Sequence, residues 1–224
     1  MEDIISEYMH AIFLNDSCSD NFNQLKLILT HEHWWDEIVD PWKLLLEWES
    51  IGYRIVSSNC NSEIFACSKG VQGDVLVHKT SKILPGTYIE GPAIIGPGSI
   101  VGPNCTLREF VFIDSNVTVG QGAEIKASLV LNGSFLSHFC YLGHSILGSN
   151  CSFSGGAITA TSRLDQRTIF VEWCKKRYDS GASKMGAIIG NNVRLGINVS
   201  IMPGKIIAPN SHVPPNSAIN DNFL

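Results

Sequence analysis

Aliphatic residues recur at every sixth position through most of this chain. One run is Val77, Ile83, Ile89, Ile95, Val101, Leu107, Ile113, Val119, Ile125 and Leu131, and another is Ile189, Leu195, Ile201, Ile207, Val213 and Ile219. Between them Leu142, Leu147 and Phe153 continue the pattern with one step of five. A period of six is neither the 3.6 of a helix nor the 2 of a single strand. Gly96, Gly102, Gly120, Gly190 and Gly196 follow the repeated aliphatics, and small residues such as Thr87, Ala93, Ser99, Cys105 and Ala123 stand four places after them. Each hexad therefore reads as one short strand and one tight corner. Three hexads, about 18 residues, close a triangular coil whose inward aliphatics stack on those of the next coil. The predicted fold is an all-β solenoid, a parallel β-helix of hexapeptide repeats about six coils tall. Its faces are flat parallel sheets, and a flat exposed sheet with apolar side chains is commonly covered by another copy.

Residues 1–72 lack the hexad and read as a small helical N-terminal cap and linker. Asp40 before Pro41 before WKLLLEWES is an N-cap and first-turn signature, and Trp34, Trp35, Trp42 and Trp48 are expected to pack on the first coil. Residues 73–221 form the β-helix domain. Within it, residues 160–186 interrupt the hexads with a polar and basic stretch too long for a corner, predicted to project from the prism. Its Lys175, Lys176 and Arg177 read either as a solvated face or as a site for an anionic substrate.

Composition narrows the function. Sixteen Lys and Arg stand against 21 Asp and Glu, a net charge of 16 − 21 = −5, which opposes binding to nucleic acid or an anionic membrane. The start of the chain is acidic where a secretory signal would be basic, and no stretch approaches the roughly 18 apolar residues of a membrane span. Seven cysteines without a C-x-x-C pair suggest free thiols in a reducing cytoplasm rather than a disulfide framework or a zinc site.

Several residues are candidates for chemistry. Arg108 and Lys126 are 18 apart, so they stack one coil above the other, and two stacked cations call for an anion such as a phosphate. In SFLSHFCYLGHS the step of six is lost between Leu131 and Leu142, and His138 and Tyr141 fall at this distortion. A histidine suits proton removal from an attacking amine near neutral pH. Gly155 and Gly156 leave backbone N–H groups open to an oxyanion. Cys140, beside His138, is an alternative nucleophile. HEH at 31–33 lacks metal-binding helical spacing, and no Walker, dinucleotide or nucleophile-elbow motif is present.

The stretches GAEIKASLVLNGSFLSHFCYLGHSILGSNCSFSGGAIT and KMGAIIGNNVRLGINVSIMPGKI resemble the left-handed β-helix acetyltransferases. In particular they resemble the C-terminal domain of bifunctional UDP-N-acetylglucosamine pyrophosphorylase/glucosamine-1-phosphate acetyltransferases, over about residues 75–219. The resemblance implies a left-handed coil, a homotrimer, and transfer of acetyl from acetyl-CoA to an amino-sugar phosphate, with no tightly bound metal. It also implies His138 as general base, Tyr141, Arg108, Lys126 and Arg167 as acceptor-site residues, and Gly155, Ile197 and Pro215 along the CoA groove. Ser152 and Thr161 stand where the family has two acceptor-site asparagines, which alters the hydrogen bonds offered to the sugar. The family's nucleotidyltransferase domain has no counterpart in the sequence, so uridylyl transfer is not expected. Two other readings compete: a catalytically degenerate trimeric scaffold or sugar-nucleotide-binding protein, and a hexapeptide carbonic anhydrase, which would need a three-histidine metal site.

Overall fold

The computed structural model describes residues 42, 43, 45, 70–73 and 75–223. The hexads form three parallel sheets wound into a left-handed β-helix. The first face has eight strands, from Val71–Gln72 to Ala218–Ile219; the second has seven, from Val75–Val77 to Lys205–Ile207; the third has seven, from Lys82–Ile83 to His212–Val213. The solenoid is thus taller than the six coils counted from the hexads: its 22 strands on three faces make a little over seven coils.

Register confirms the stacked core. On the first face Val71, Ile89, Leu107, Ile125 and Leu142 lie one above another, and Thr159, Ile201 and Ile219 extend the line. Matching inward lines run through Ile95, Ile113 and Val130 on the second face and through Val119, Leu136 and Phe153 on the third. The aliphatic and aromatic members of these lines form one continuous core, and each that is fully buried contributes roughly 1.5–3 kcal/mol by leaving water.

The repeat shortens at two places rather than one. Val130, not Leu131, stacks on Ile113, so the step from Ile125 is five, as is the step from Leu142 to Leu147. Both Val130 and Leu131 are buried aliphatics, which is why hydrophobicity alone chose the wrong one. The consequence is positional. Both short steps fall at the corner between the first and second faces, so the irregularity assigned to SFLSHFCYLGHS does not lie at His138, whose corner is regular.

The faces differ on their outer side. The outward residues of the second face are Leu76, Ile94, Phe112, Leu129, Ile146, Ile188 and Ile206, in register on successive coils, and none is more than 9% exposed. A parallel sheet apolar on both sides must be covered on both sides. Outward positions on the third face are mixed instead, with Lys82, Ile100, Thr118, Phe135, Ser152, Arg194 and His212 in line.

Residues 160–186 leave after the strand Ile158–Thr159 and return at Ala187–Ile189. They do not project freely. Phe170–Trp173 and Lys176–Asp179 pair as an antiparallel hairpin, and Ile169 and Val171 are buried. Gly204 of the prism lies so close to the hairpin that a Cβ there would come 2.6 Å from Ile169 and 2.7 Å from the Phe170 carbonyl oxygen. The Asn222 side chain donates to the Glu172 carbonyl at 2.7 Å. Buried apolar residues in the excursion pull it back onto the prism.

Of the expected N-terminal cap and linker, Trp42, Lys43 and Leu45 are helical and Val71–Gln72 is already the first strand of the solenoid; residues 1–41, 44 and 46–69, with Trp34, Trp35 and Trp48, lie outside the described residues. Trp42 packs its ring 5.0 Å from that of Tyr178 in the hairpin, not on the first coil. Among the described residues no helix is long and apolar enough to cross a membrane.

Candidate active site

The corner from the third face into the first is a two-residue turn repeated on every coil. Its second residue has positive φ and is Gly or Asn on nearly every coil, as at Asn104, Gly122, Gly156, Asn198 and Asn216. The N–H of each donates to the carbonyl of the first turn residue one coil below. Thus Phe139 bonds to Gln121 at 3.1 Å, Gly156 to His138 at 3.2 Å, Asn198 to Gly155 at 3.0 Å and Asn216 to Ile197 at 2.8 Å. This ladder places His138, Gly155, Ile197 and Pro215 in a single column on successive coils. Three steps of strand spacing make it about 14 Å long.

His138 is exposed, and a Cβ on Gly155 would lie 3.5 Å from its Cδ2. The imidazole therefore sits directly under the Gly155 backbone. Gly155 N–H has no acceptor among the described residues, because the first turn residue of this corner takes no part in the ladder as a donor. An exposed base and a free N–H face the same strip of surface, suiting them to a proton and a developing oxyanion.

Phe139 was not singled out by the sequence reading. It occupies the left-handed position at φ 54° where its column otherwise holds Gly or Asn, at a cost of roughly 1–2 kcal/mol. It is 69% exposed. Its ring lies over Gly122, where an added Cβ would come 2.9 Å from the ring carbons, with its centroid 6.3 Å from that of His138. The signal was present: on the other coils of this corner the same turn position holds Gly or Asn, and here a bulky aromatic breaks that rule beside the histidine.

The first face carries the remaining polar candidates. Arg108 and Lys126 are adjacent in register as their spacing requires, but each already has a carboxylate. Arg108 donates from Nε and Nη2 to Glu124 Oε1, both at 2.6 Å. Lys126 Nζ is 2.7 Å from Glu109 Oε1. Burial pushes the Glu109 carboxyl up, yet the hydrogen bond and charge of Lys126, helped by His144 and Arg108, outweigh it and hold the group below its ordinary value. Two cations and two anions cancel. His144 Nε2 stands 4.0 Å from Glu109 with no hydrogen-bond partner, and burial, reinforced by the charge of Lys126, pushes its pKa down to about 4.

The Tyr141 ring is folded over Gly143, with Thr161 beside it, since a Cβ on Gly143 would run into the Tyr141 hydroxyl and the Thr161 methyl. Arg108, Lys126, Tyr141 and Thr161 thus share the first face. Ser152 does not: it points outward on the third face, between Phe135 and Arg194. Arg167 is exposed in the excursion, its N–H donating to Asp165 Oδ1 at 3.3 Å. Lys175, Lys176 and Arg177 lie at and after the hairpin tip, with the Arg177 guanidinium 4.0 Å from the centroid of the Phe170 ring.

The GMPPB C-terminal domain family matches residues 89–177. The bifunctional sugar-1-phosphate nucleotidylyltransferase/acetyltransferase of Sulfurisphaera tokodaii is 33% identical over 195 residues, 86% of this chain and 48% of that protein. The bifunctional protein GlmU of Methanococcus aeolicus is 37% identical over 208 residues, 85% of this chain and 46% of that one. The chain belongs to the left-handed β-helix acetyltransferase family. It spans about half the length of the curated relatives it matches. Among solved left-handed β-helix acetyltransferases, the polysialic acid O-acetyltransferase OatWY superposes with a TM-score of 0.37 and 19% identity, covering 69% of this chain and 76% of that one.

Within this β-helix acetyltransferase frame the thiol alternative falls away. Cys140 points into the core, donates to the Ser137 carbonyl at 3.2 Å, and burial pushes its pKa up to about 12. Among the described residues no three potential metal ligands come together.

Proposed function

We propose that this chain N-acetylates an amino-sugar phosphate with acetyl-CoA as the acyl donor. The observation that carries the reading is the column of His138, Gly155, Ile197 and Pro215 on one edge of the prism. Acetyl-CoA supplies an activated thioester, and the column suits it: a strip about 14 Å long with exposed Ile197 and Pro215 offers apolar contact to an extended arm. His138 accepts the proton that the acceptor amine sheds as its nitrogen bonds to the thioester carbonyl carbon. Gly155 N–H donates to the carbonyl oxygen as negative charge gathers there. The C–S bond then breaks, and the thiolate leaves with a proton from solvent or from the imidazolium. Tyr141, Thr161 and Arg167 contact the sugar, and Arg108 and Lys126 hold its phosphate once Glu124 and Glu109 yield to it. Ser152 enters from the third face of a neighbouring copy.

Homotrimeric assembly is part of this proposal. Phe135, Phe139, Ile158 and Ile197 are large, exposed and apolar, and all flank the edge shared by the first and third faces. A second copy packed on that edge would bury them and enclose His138. The unpaired Cys105, Cys140, Cys151 and Cys174 support a reducing, cytoplasmic setting.

The neutral charge balance around Arg108 and Lys126 favours a second reading, in which the chain is a degenerate scaffold that binds a sugar nucleotide without turning it over. Thiol release from acetyl-CoA, measured with amino-sugar 1-phosphates and nucleotide amino sugars, separates the two. Turnover that is lost in His138→Ala supports the enzyme. No turnover on any acceptor, by a chain that also fails to bind CoA, leaves the scaffold.

A further inference from the structure

Glu109, Ala127 and His144 form one column at the corner where the chain leaves the first face, each following a residue of the same register line, Arg108, Lys126 and Gly143. All three have positive φ, 58°, 45° and 45°. Ala127 N–H donates to the Arg108 carbonyl at 3.2 Å and His144 N–H to the Lys126 carbonyl at 2.8 Å, so each residue stands one coil above the last. Glu109 and His144 are then two strand spacings apart, about 10 Å. The small Ala127 between them leaves the room in which their side chains meet, Glu109 Oε2 coming to 4.0 Å from His144 Nε2.

Two features of this column are left over by its ion pairs. Lys126 is the buried member of its pair, with 10% of its side chain exposed against 40% for Glu109, so an anion that is to reach the ammonium must displace the carboxylate. His144 Nε2 is shut off from solvent and has no hydrogen-bond partner. A buried ring nitrogen in that state is a standing cost to the fold. Burial and the charges of Lys126, Lys184 and Arg108 hold the ring neutral against the pull of Glu109. A neutral imidazole with its hydrogen on Nε2 is a donor, and an ionised carboxylate is an acceptor only. Closing 4.0 Å to hydrogen-bond distance takes a shift of about 1 Å, within reach of a rotation of the half-exposed Glu109 side chain.

We propose that Glu109 is handed from Lys126 to His144 Nε2 when the phosphate of the acceptor binds at Lys126. The inference rests on the phosphate placement proposed above and says what becomes of the displaced carboxylate. At each end of the exchange every charge has a partner: Lys126 trades a carboxylate for a phosphate, and Glu109 trades an ammonium for an imidazole N–H. His144 is a positioning residue, acting on the ligand through Glu109. The exchange also makes the subsite selective, because an acceptor without a phosphate brings nothing to replace Glu109 and meets a closed pair.

A double-mutant cycle on the full chain tests this, with Kd for glucosamine 1-phosphate and for inorganic phosphate read by titration calorimetry at neutral pH. The variants are His144→Ala, Glu109→Gln and the two combined. Alanine already sits at φ 45° at position 127 of the same column, so His144→Ala suits the turn. It should weaken both ligands about tenfold. In the Glu109→Gln background, where no carboxylate needs a new partner, the same change should matter by no more than about twofold. His144→Gln, whose side-chain amide again offers an N–H, should recover most of the affinity. Equal losses in both backgrounds would mean that the imidazole acts on the ligand or the fold directly, and no loss in either would mean that Glu109 turns to solvent. Each of those outcomes overturns the handover and leaves phosphate at Lys126. Failure of both ligands to bind even Glu109→Gln, in which Lys126 is open, overturns the phosphate placement and the handover together.

Discussion

Two corners of the same triangle meet the same demand in opposite ways. Between the third and first faces the turn keeps two residues on every coil, and its first residue leaves an N–H, or a side chain such as His138, open to solvent. Between the first and second faces two coils lose a residue, and the space is closed by Glu109, Lys126 and the half-buried His144. The lesson concerns where chemistry can sit. A regular corner with a spare donor can approach a ligand, whereas a shortened corner is filled with mutually satisfied charge.

The strongest way to break this contrast is at His138. If the regular corner is the reactive one, His138→Ala lowers kcat by on the order of 10²–10⁴ with little change in KM, as read by thiol release. Equal rates would take catalysis away from that corner.

The third kind of corner, from the second face to the third, holds the buried Asp114, whose Oδ1 accepts Ser115 N–H at 2.6 Å. Burial outweighs the hydrogen bonds from Ser115 and Asn132 and pushes its pKa up to about 6. A raised acid keeps its proton longer when folded than when unfolded. Stability is therefore full at low pH and falls as pH rises from about 4 to about 6. Two pKa units correspond to about 3 kcal/mol. Asp114→Asn should be more stable than the parent by that order at pH 8 and equal to it near pH 4, as measured by chemical denaturation; a constant difference at both pH values would assign the effect to packing instead.

Releasing the closed corner sharpens the comparison further. Glu109→Gln removes the carboxylate from Lys126 and leaves the cation open to phosphate. KM for an amino-sugar phosphate should fall by up to about tenfold, roughly 1.4 kcal/mol, while kcat holds. A rise in KM would show that Glu109 orients Lys126 rather than competing for it.

The smallest effect is expected at Phe139. Phe139→Asn restores a residue suited to φ 54° and should stabilise the fold by about 1 kcal/mol in thermal unfolding. It should also weaken association of copies, because the exposed ring is lost. A variant that gains no stability would mean that the ring over Gly122 offsets its own strain.

The hexad spacing was sufficient to read the triangular coil and the stacking of Arg108 on Lys126. Period and geometry are linked there by a rigid rule: one strand and one corner per six residues. The choice between Val130 and Leu131 was not legible, since both are aliphatic and both are buried. Nor was the pairing of Arg108 with Glu124 and of Lys126 with Glu109. The first pair needs the outward neighbours on two strands, and the second needs the tight turn at φ 58° that aims Glu109 upward.

Sequence alone determined the repeat, because hydrophobic stacking depends on which residues are apolar and how far apart they stand. It also set out His138 and Gly155 as separate candidates, and the family resemblance added Ile197 and Pro215. Only tertiary structure put those four in one column, for a 42-residue step separates Gly155 from Ile197 and the excursion inside it consumes most of that length. Tertiary structure likewise decided that the excursion folds back and that the second face is apolar on both sides. Those outcomes depend on what each outward side chain meets, and a pattern along the chain specifies the direction of a side chain without specifying its neighbour.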